Sequence, residues 1–170
     1  MLYCKGAEIE QMKSWRKRRR ASGFSLLELV IVVVIMGIVA AVAIPRMSRG
    51  SAGAADAALS ANLAVLRNSI DMYAGEHNAT YPAVGTIVNQ LTMYSSITGA
   101  TNATKTTTYA YGPYLRKVPK LPVGAKKGQS GIAAASGDTI GWIYTAASGT
   151  IKSNTTDAEK DSTDVAYNTY

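Results

Sequence analysis

The sequence predicts an α+β chain: one long N-terminal helix, membrane-spanning in its first half and amphipathic in its second, packed on a small antiparallel β-sheet. Three observations carry that prediction. Residues 26–44 form an apolar run with one charge, Glu28. From residue 54 apolar side chains recur at helical spacing. From Tyr81 onward the chain becomes rich in Gly, Thr, Ser and Tyr, a composition that suits short strands and loops.

The apolar run comes first. Its 19 residues, at ~1.5 Å each, cover roughly 28 Å as a helix, close to the hydrocarbon thickness of a bilayer. Upstream lie Lys13, Arg16, Lys17, Arg18, Arg19 and Arg20. Such a cluster stays on the cytoplasmic side, so the expected orientation is N-in, C-out. An ordinary secretory signal has a shorter apolar core of ~7–15 residues and a cleavage site after it; this core is longer and opens on an acid.

The segment Gly23-Phe24-Ser25-Leu26-Leu27-Glu28, following a basic leader, closely resembles the type III signal of type IV pilins and type II secretion pseudopilins. The resemblance implies that a membrane aspartyl peptidase, the prepilin peptidase, cuts between Gly23 and Phe24 before the apolar core and N-methylates Phe24. The core then stays with the mature protein. Two further positions match that family: Pro45, where pilin helices kink, and Gly37, at the start of the segment that loses helicity in assembled filaments.

Glu28 has a physical role consistent with this resemblance. A carboxylate inside a membrane costs on the order of 2.5–3.5 kcal/mol by insertion scales, so it needs a cation once assembled. The α-ammonium created at Phe24 is the candidate, either Glu28's own terminus or that of a neighbouring subunit. The alternative is that Glu28 snorkels to the headgroups from one turn inside the span.

The net charge of +7 is misleading as a pointer to nucleic acid. Residues 1–23 carry seven Lys/Arg against Glu8 and Glu10, so five of the seven net positive charges belong to the leader. The single cysteine, Cys4, lies there too, leaving residues 24–170 unable to form an internal disulfide. This departs from many type IVa pilins and leans toward pseudopilins. Met12 offers a second candidate start, which would shorten the leader.

Beyond Pro45 the stretch 46–53 is a weak helix former, since Gly50 and Gly53 each cost roughly 1 kcal/mol relative to Ala. A flexible neck is expected there. From residue 54, Leu59, Leu63, Leu66, Ile70 and Tyr73 form one apolar stripe that must cover a sheet, and Gly75 with His77-Asn78 marks the stop. In the head a short helix is expected around 86–94, and strands over 139–145 and Thr150–Ser153, joined by a hairpin turn at Ala146-Ala147-Ser148-Gly149. The expected sheet is antiparallel, of three or four strands. The division is then a cleaved basic leader (1–23), a transmembrane and filament-core helix (24–45), a neck and amphipathic helix (46–77), and a periplasmic α+β head (78–170).

Other chemistry-bearing residues have plainer readings. Arg116, Lys117, Lys120, Lys126 and Lys127 form a basic loop with no recognition motif, expected to be solvated or paired with a neighbouring subunit's acids. Asp157, Glu159, Asp161 and Asp164 lack the glycine and terminal acid of an EF-hand, so a solvated acidic turn is expected. The segment Gly137-Asp138-Thr139-Ile140-Gly141-Trp142 resembles the calcium loop of major pseudopilins; only Asp138 keeps a carboxylate, with Ser136 as a neighbouring hydroxyl. No cofactor is required, and Ca²⁺ at Asp138 is the one candidate. His77, the sole histidine, is expected to cap the helix end or lie exposed. Three Asn-x-Thr sequons, at Asn78, Asn102 and Asn154, are read as chance occurrences.

Neither a nucleophilic triad nor a zinc cluster can be assembled from these residues, so a structural subunit is expected, not an enzyme. Tyr81-Pro82 and Gly112-Pro113-Tyr114-Leu115 also resemble pseudopilin segments. The resemblance implies a subunit that polymerises through its N-terminal helix into a pseudopilus driving type II protein secretion. Its partners would be itself, minor pseudopilins, the prepilin peptidase, and an inner-membrane assembly platform with its ATPase, with nucleic acid not expected. Its place would be the inner membrane before assembly and a periplasmic filament after it. The alternatives are a type IV pilin for adhesion, twitching or DNA uptake, and a non-polymerising, membrane-anchored periplasmic binding domain.

Overall fold

The computed structural model describes residues 23–170, with the backbone alone for 45–49. The leader up to residue 22, including Cys4 and Met12, lies outside the described residues. The chain divides into two units, residues 1–41 and 42–170, and helix α1, Leu26–Glu76, belongs to both.

In the first unit α1 starts just after the Gly23-Phe24-Ser25 segment, with the Leu29 amide donating to the Ser25 carbonyl at 3.1 Å. Glu28 lies in its first turn, where the positive end of the helix dipole favours a carboxylate. The span Leu26–Ile44 has a mean hydropathy of 3.0 and no part of it is buried. Helicity continues through Gly37, Pro45, Gly50 and Gly53. One interior proline and two glycines cost about 5 kcal/mol together, yet the backbone stays helical, so the expected neck is helical backbone here.

The second unit is built on the predicted stripe. Leu59, Leu63, Leu66, Ile70 and Tyr73 are all at most 2 % exposed. They pack with Ile87 and Leu91 of α2, Ile87–Thr92, and with Leu115, Leu121 and Val123 from the long loop that follows. Strands β1, Tyr94–Ser95, and β2, Thr101–Asn102, form a two-stranded antiparallel pair. Strands β3, Gly131–Ala133, β4, Ile140–Thr145, and β5, Thr150–Ser153, form a second sheet in the order β3-β4-β5.

The β4–β5 hairpin has the expected strands, with Trp142 opposite Ser153 and Thr145 opposite Thr150. Trp142 and Tyr144 are fully buried against the helix stripe. The indole N–H donates to Pro119 O at 2.8 Å and the Tyr144 hydroxyl to Pro82 O at 2.9 Å, which removes the cost of burying either polar tip.

The expected single antiparallel sheet is corrected in two ways. There are two small sheets among the described residues, and β3 runs parallel to β4, with Gly131 opposite Ile140 and a register irregularity before Ile132. Parallel neighbours ordinarily need a crossover of a dozen or more residues. Here β3 has only 3 residues, so the chain must return less than roughly 10 Å, which the short 134–139 connection can span. Gly141 permits a close approach at this sheet, since a Cβ there would lie 2.4 Å from Gln129 O.

Candidate functional site

The N-terminal motif is the first candidate. Gly23, Phe24 and Ser25 precede the helix, so the expected scissile bond between Gly23 and Phe24 sits in non-helical backbone with its hydrogen-bonding groups outside the α1 ladder. A Cβ on Gly23 would meet nothing within 4 Å, and the Phe24 ring is 76 % exposed. Phe24 and Glu28 are four residues apart, one helical turn. The two ion pairs among the described residues are Lys126 with Asp138 and Lys160 with Asp164, so Glu28 has no cationic partner there. The span around it exposes fifteen large apolar side chains between Phe24 and Ile44. At ~1.5 kcal/mol or more each, leaving them in water would cost over ~20 kcal/mol, so this helix requires lipid or protein around it.

The head residues fall differently from their expected roles. Asp138 is fully exposed and bonded to the Lys126 ammonium at 2.9 Å, and that hydrogen bond with its charge holds the carboxyl below its ordinary range. No group of three or more His, Cys, Asp or Glu is placed to hold a metal among the described residues.

The acidic segment is a largely solvent-exposed turn, as expected, and two of its carboxylates also bind backbone amides. Glu159 accepts from the amides of Ala125 and Thr156, and those two bonds lower its carboxyl. Asp161 accepts from the Tyr170 hydroxyl, from Thr163 N at 2.7 Å and from Val165 N at 2.9 Å. Together they bring its pKa down to about 2, with the Tyr170 bond the largest cause. Carboxylates this well supplied with donors act as anchors for the backbone around them.

Of the two roles expected for His77 the structure has the first: it caps the helix end, and it does so while buried, at 2 % exposed. Nδ1 lies 2.8 Å from Tyr73 O, a carbonyl that can only accept, so Nδ1 carries the hydrogen and Nε2 faces the Ser95 hydroxyl at 3.0 Å. The ring stacks on Tyr73 with centroids 3.8 Å apart. Glycine-free left-handed turns at Asn78 and Ala79 complete the helix stop, with Ala79 N donating to Ala74 O at 2.9 Å. Of the three sequons, Asn154 is buried and its amide donates to Ile140 O at 2.7 Å, which commits that nitrogen to the fold.

Sequence reasoning passed over one constellation. The C-terminal segment is tied back to α1 at two levels: Asp56 accepts from Ser162 N at 3.2 Å and the Tyr167 hydroxyl at 2.8 Å, and Arg67 donates to Tyr170 O at 2.6 Å and Ile151 O at 3.4 Å. The signal in the sequence is slight. Asp56 and Arg67 are the charges on α1 adjacent to its apolar stripe, and Tyr167 and Tyr170 are aromatic groups with polar tips that need partners.

Comparison with known proteins bears on the N-terminus alone. No curated protein and no solved structure matches the chain. The family model of the prokaryotic N-terminal methylation motif matches residues 18–44, covering the end of the basic run, the Gly23-Phe24 junction, Glu28 and the whole apolar span. With an α+β head behind it, this chain therefore carries the signature of the prepilin-type substrates, the type IV pilins and pseudopilins.

Proposed function

We propose that the protein is a structural subunit of a pseudopilus that drives type II protein secretion. The observation that carries the reading is the junction of a non-helical Gly23-Phe24 bond with an exposed apolar helix whose single carboxylate lies one turn in. Cleavage there creates an α-ammonium next to the only charge in the span. In the membrane-bound precursor the basic leader keeps the N-terminus cytoplasmic and the head periplasmic. The peptidase removes the leader, Phe24 is methylated, and the assembly platform with its ATPase lifts the helix out of the bilayer. Helix-to-helix packing in the filament then hides the apolar surface that lipid had hidden. An incoming subunit's terminus neutralises Glu28 of the one before, which repays the several kcal/mol a lone buried carboxylate costs.

No enzymatic activity and no cofactor are assigned in this reading. At Asp138 the Lys126 ammonium supplies the positive charge that Ca²⁺ would otherwise bring. The absence of a cysteine in residues 24–170, with the Tyr81-Pro82 and Gly112-Pro113-Tyr114-Leu115 segments, favours secretion. A type IV pilin for adhesion, twitching or DNA uptake is the second reading, on the same motif.

The test is Glu28→Ala in the native cell. The expected outcome is normal conversion of precursor to mature chain with filaments reduced at least about tenfold, the equivalent of ~1.4 kcal/mol per subunit contact. Normal filaments from this variant would sink the charge-pairing account. Loss of exported folded proteins on deletion, with surface pili unaffected, selects secretion over the pilin reading.

A further inference from the structure

Among the described cations of the second unit, Lys126 pairs with Asp138, Lys160 with Asp164, and Arg67 donates to two carbonyls. Three of the others share a groove of about 450 Å³ beside α2, where Arg116, Lys117 and Lys120 surround a floor that includes Val88 and Val118. No carboxylate lines it, and among the described residues none of these three side chains has a hydrogen bond or ion pair. Three unneutralised cations over an apolar floor concentrate positive potential and call for an anionic partner.

The same chain presents a complementary surface. Between residues 157 and 164 four carboxylates, Asp157, Glu159, Asp161 and Asp164, accompany one cation, Lys160. This segment is preorganised, because Glu159 and Asp161 fix its backbone through the amides of Ala125, Thr156, Thr163 and Val165. A charged loop already held in shape loses little further conformational freedom on docking. Within one copy no ion pair joins the two surfaces among the described residues.

We propose that the Arg116-Lys117-Lys120 groove receives the 157–164 acidic segment of a second copy of this chain. Two different patches of one protein that fit each other make a heterologous contact, which does not pair into a two-fold dimer but propagates from copy to copy, into a filament wherever its rotation does not close a ring. The proposal rests on the polymerisation reading and adds to it a head-to-head contact that is independent of the apolar helix. Being a contact between exposed charges, it weakens as salt shortens the screening length from ~10 Å at 0.1 M to ~3 Å at 1 M.

Residues 24–170 contain no cysteine, so engineered pairs report cleanly. The full chain, in a Cys4→Ser background, carries Lys117→Cys with Asp157→Cys and is oxidised mildly during assembly. The expected result is a ladder of disulfide-linked multimers at least about tenfold stronger than from Lys105→Cys with Asp157→Cys, and falling with added salt. Filaments that form without the 117–157 ladder overturn the groove assignment while leaving polymerisation standing. Failure of the parent chain to form filaments overturns both. Charge reversal gives a second measurement: Arg116→Glu with Lys117→Glu lowers pelletable filament, and adding Asp157→Lys with Asp164→Lys restores it. An unrescued loss in a normally folded variant counts against the pairing. Retention of duplex DNA by the full chain that disappears in Arg116→Glu/Lys117→Glu, with no ladder, assigns the groove to nucleic acid and overturns the proposal.

Discussion

His77 is fixed on three sides by groups from two elements: the Tyr73 carbonyl and ring on α1, and the Ser95 hydroxyl on β1. Replacing it with alanine removes both hydrogen bonds and the stacked ring, and leaves a fully buried hydroxyl without its partner. Such a loss costs ~2–4 kcal/mol, a cavity term and an unsatisfied polar group together. The expected outcome for His77→Ala is a clear drop in the urea midpoint of the full chain in detergent, and an unchanged midpoint would show that the contacts contribute nothing. The sequence allowed the capping role, since a polar residue at a helix end has carbonyls within reach. Its burial was not legible, because the residues that cover it, Ser95 and Tyr111, lie far along the chain and come together only through the β1 pairing.

At the scale of elements, the hairpin β4–β5 shows where local pattern suffices. Alternation of Trp142 and Tyr144, followed by a turn ending in Gly149, specifies two antiparallel strands. Gly149 has φ +68°, and a Cβ there would lie 2.4–2.7 Å from the ring of Tyr81. Gly149→Ala therefore combines left-handed strain with a steric clash, and is expected to destabilise the second unit by ~1–3 kcal/mol. Thermal unfolding of the full chain followed by circular dichroism checks this; a stability equal to the parent's would mean that the turn relaxes freely. The stripe on α1 was equally legible, because a 3.6-residue period needs no knowledge of the rest of the chain. Strand β3 was not, since Gly131-Ile132-Ala133 has only one β-branched residue and its parallel pairing depends on where β4 lies.

At the scale of the whole molecule, the C-terminal segment is fixed by tyrosine–carboxylate contacts, Tyr167 to Asp56 on α1 and Tyr170 to Asp161 within the segment, and these set its pH limits. The Tyr170 hydrogen bond brings Asp161 down to about 2 from an ordinary 3.8. Because the folded value is the lower one, the stabilisation is complete above pH 3.8 and is lost as pH falls through about 2. The same bond pushes Tyr170 up to about 12 from 10.0, while burial, followed by the Asp56 bond, does so for Tyr167. With the folded value the higher one, this contribution is whole below pH 10.0 and disappears as pH rises through about 12. In Tyr170→Phe the acid release of the segment is expected to move upward toward pH 3.8, measured by amide exchange of residues 157–170; a release that stays near pH 2 would refute the coupling. The sequence by itself determined the N-terminal motif, the membrane-length helix, the amphipathic stripe and the hairpin, because each is written in neighbouring residues with a fixed period or junction. Only the tertiary structure decided the parallel β3, the buried His77, the anchored acids and the tie of Asp56 and Arg67 to the C-terminal segment, because those depend on partners outside any one periodic element, some of them across most of the second unit, finding one another as the apolar core closes.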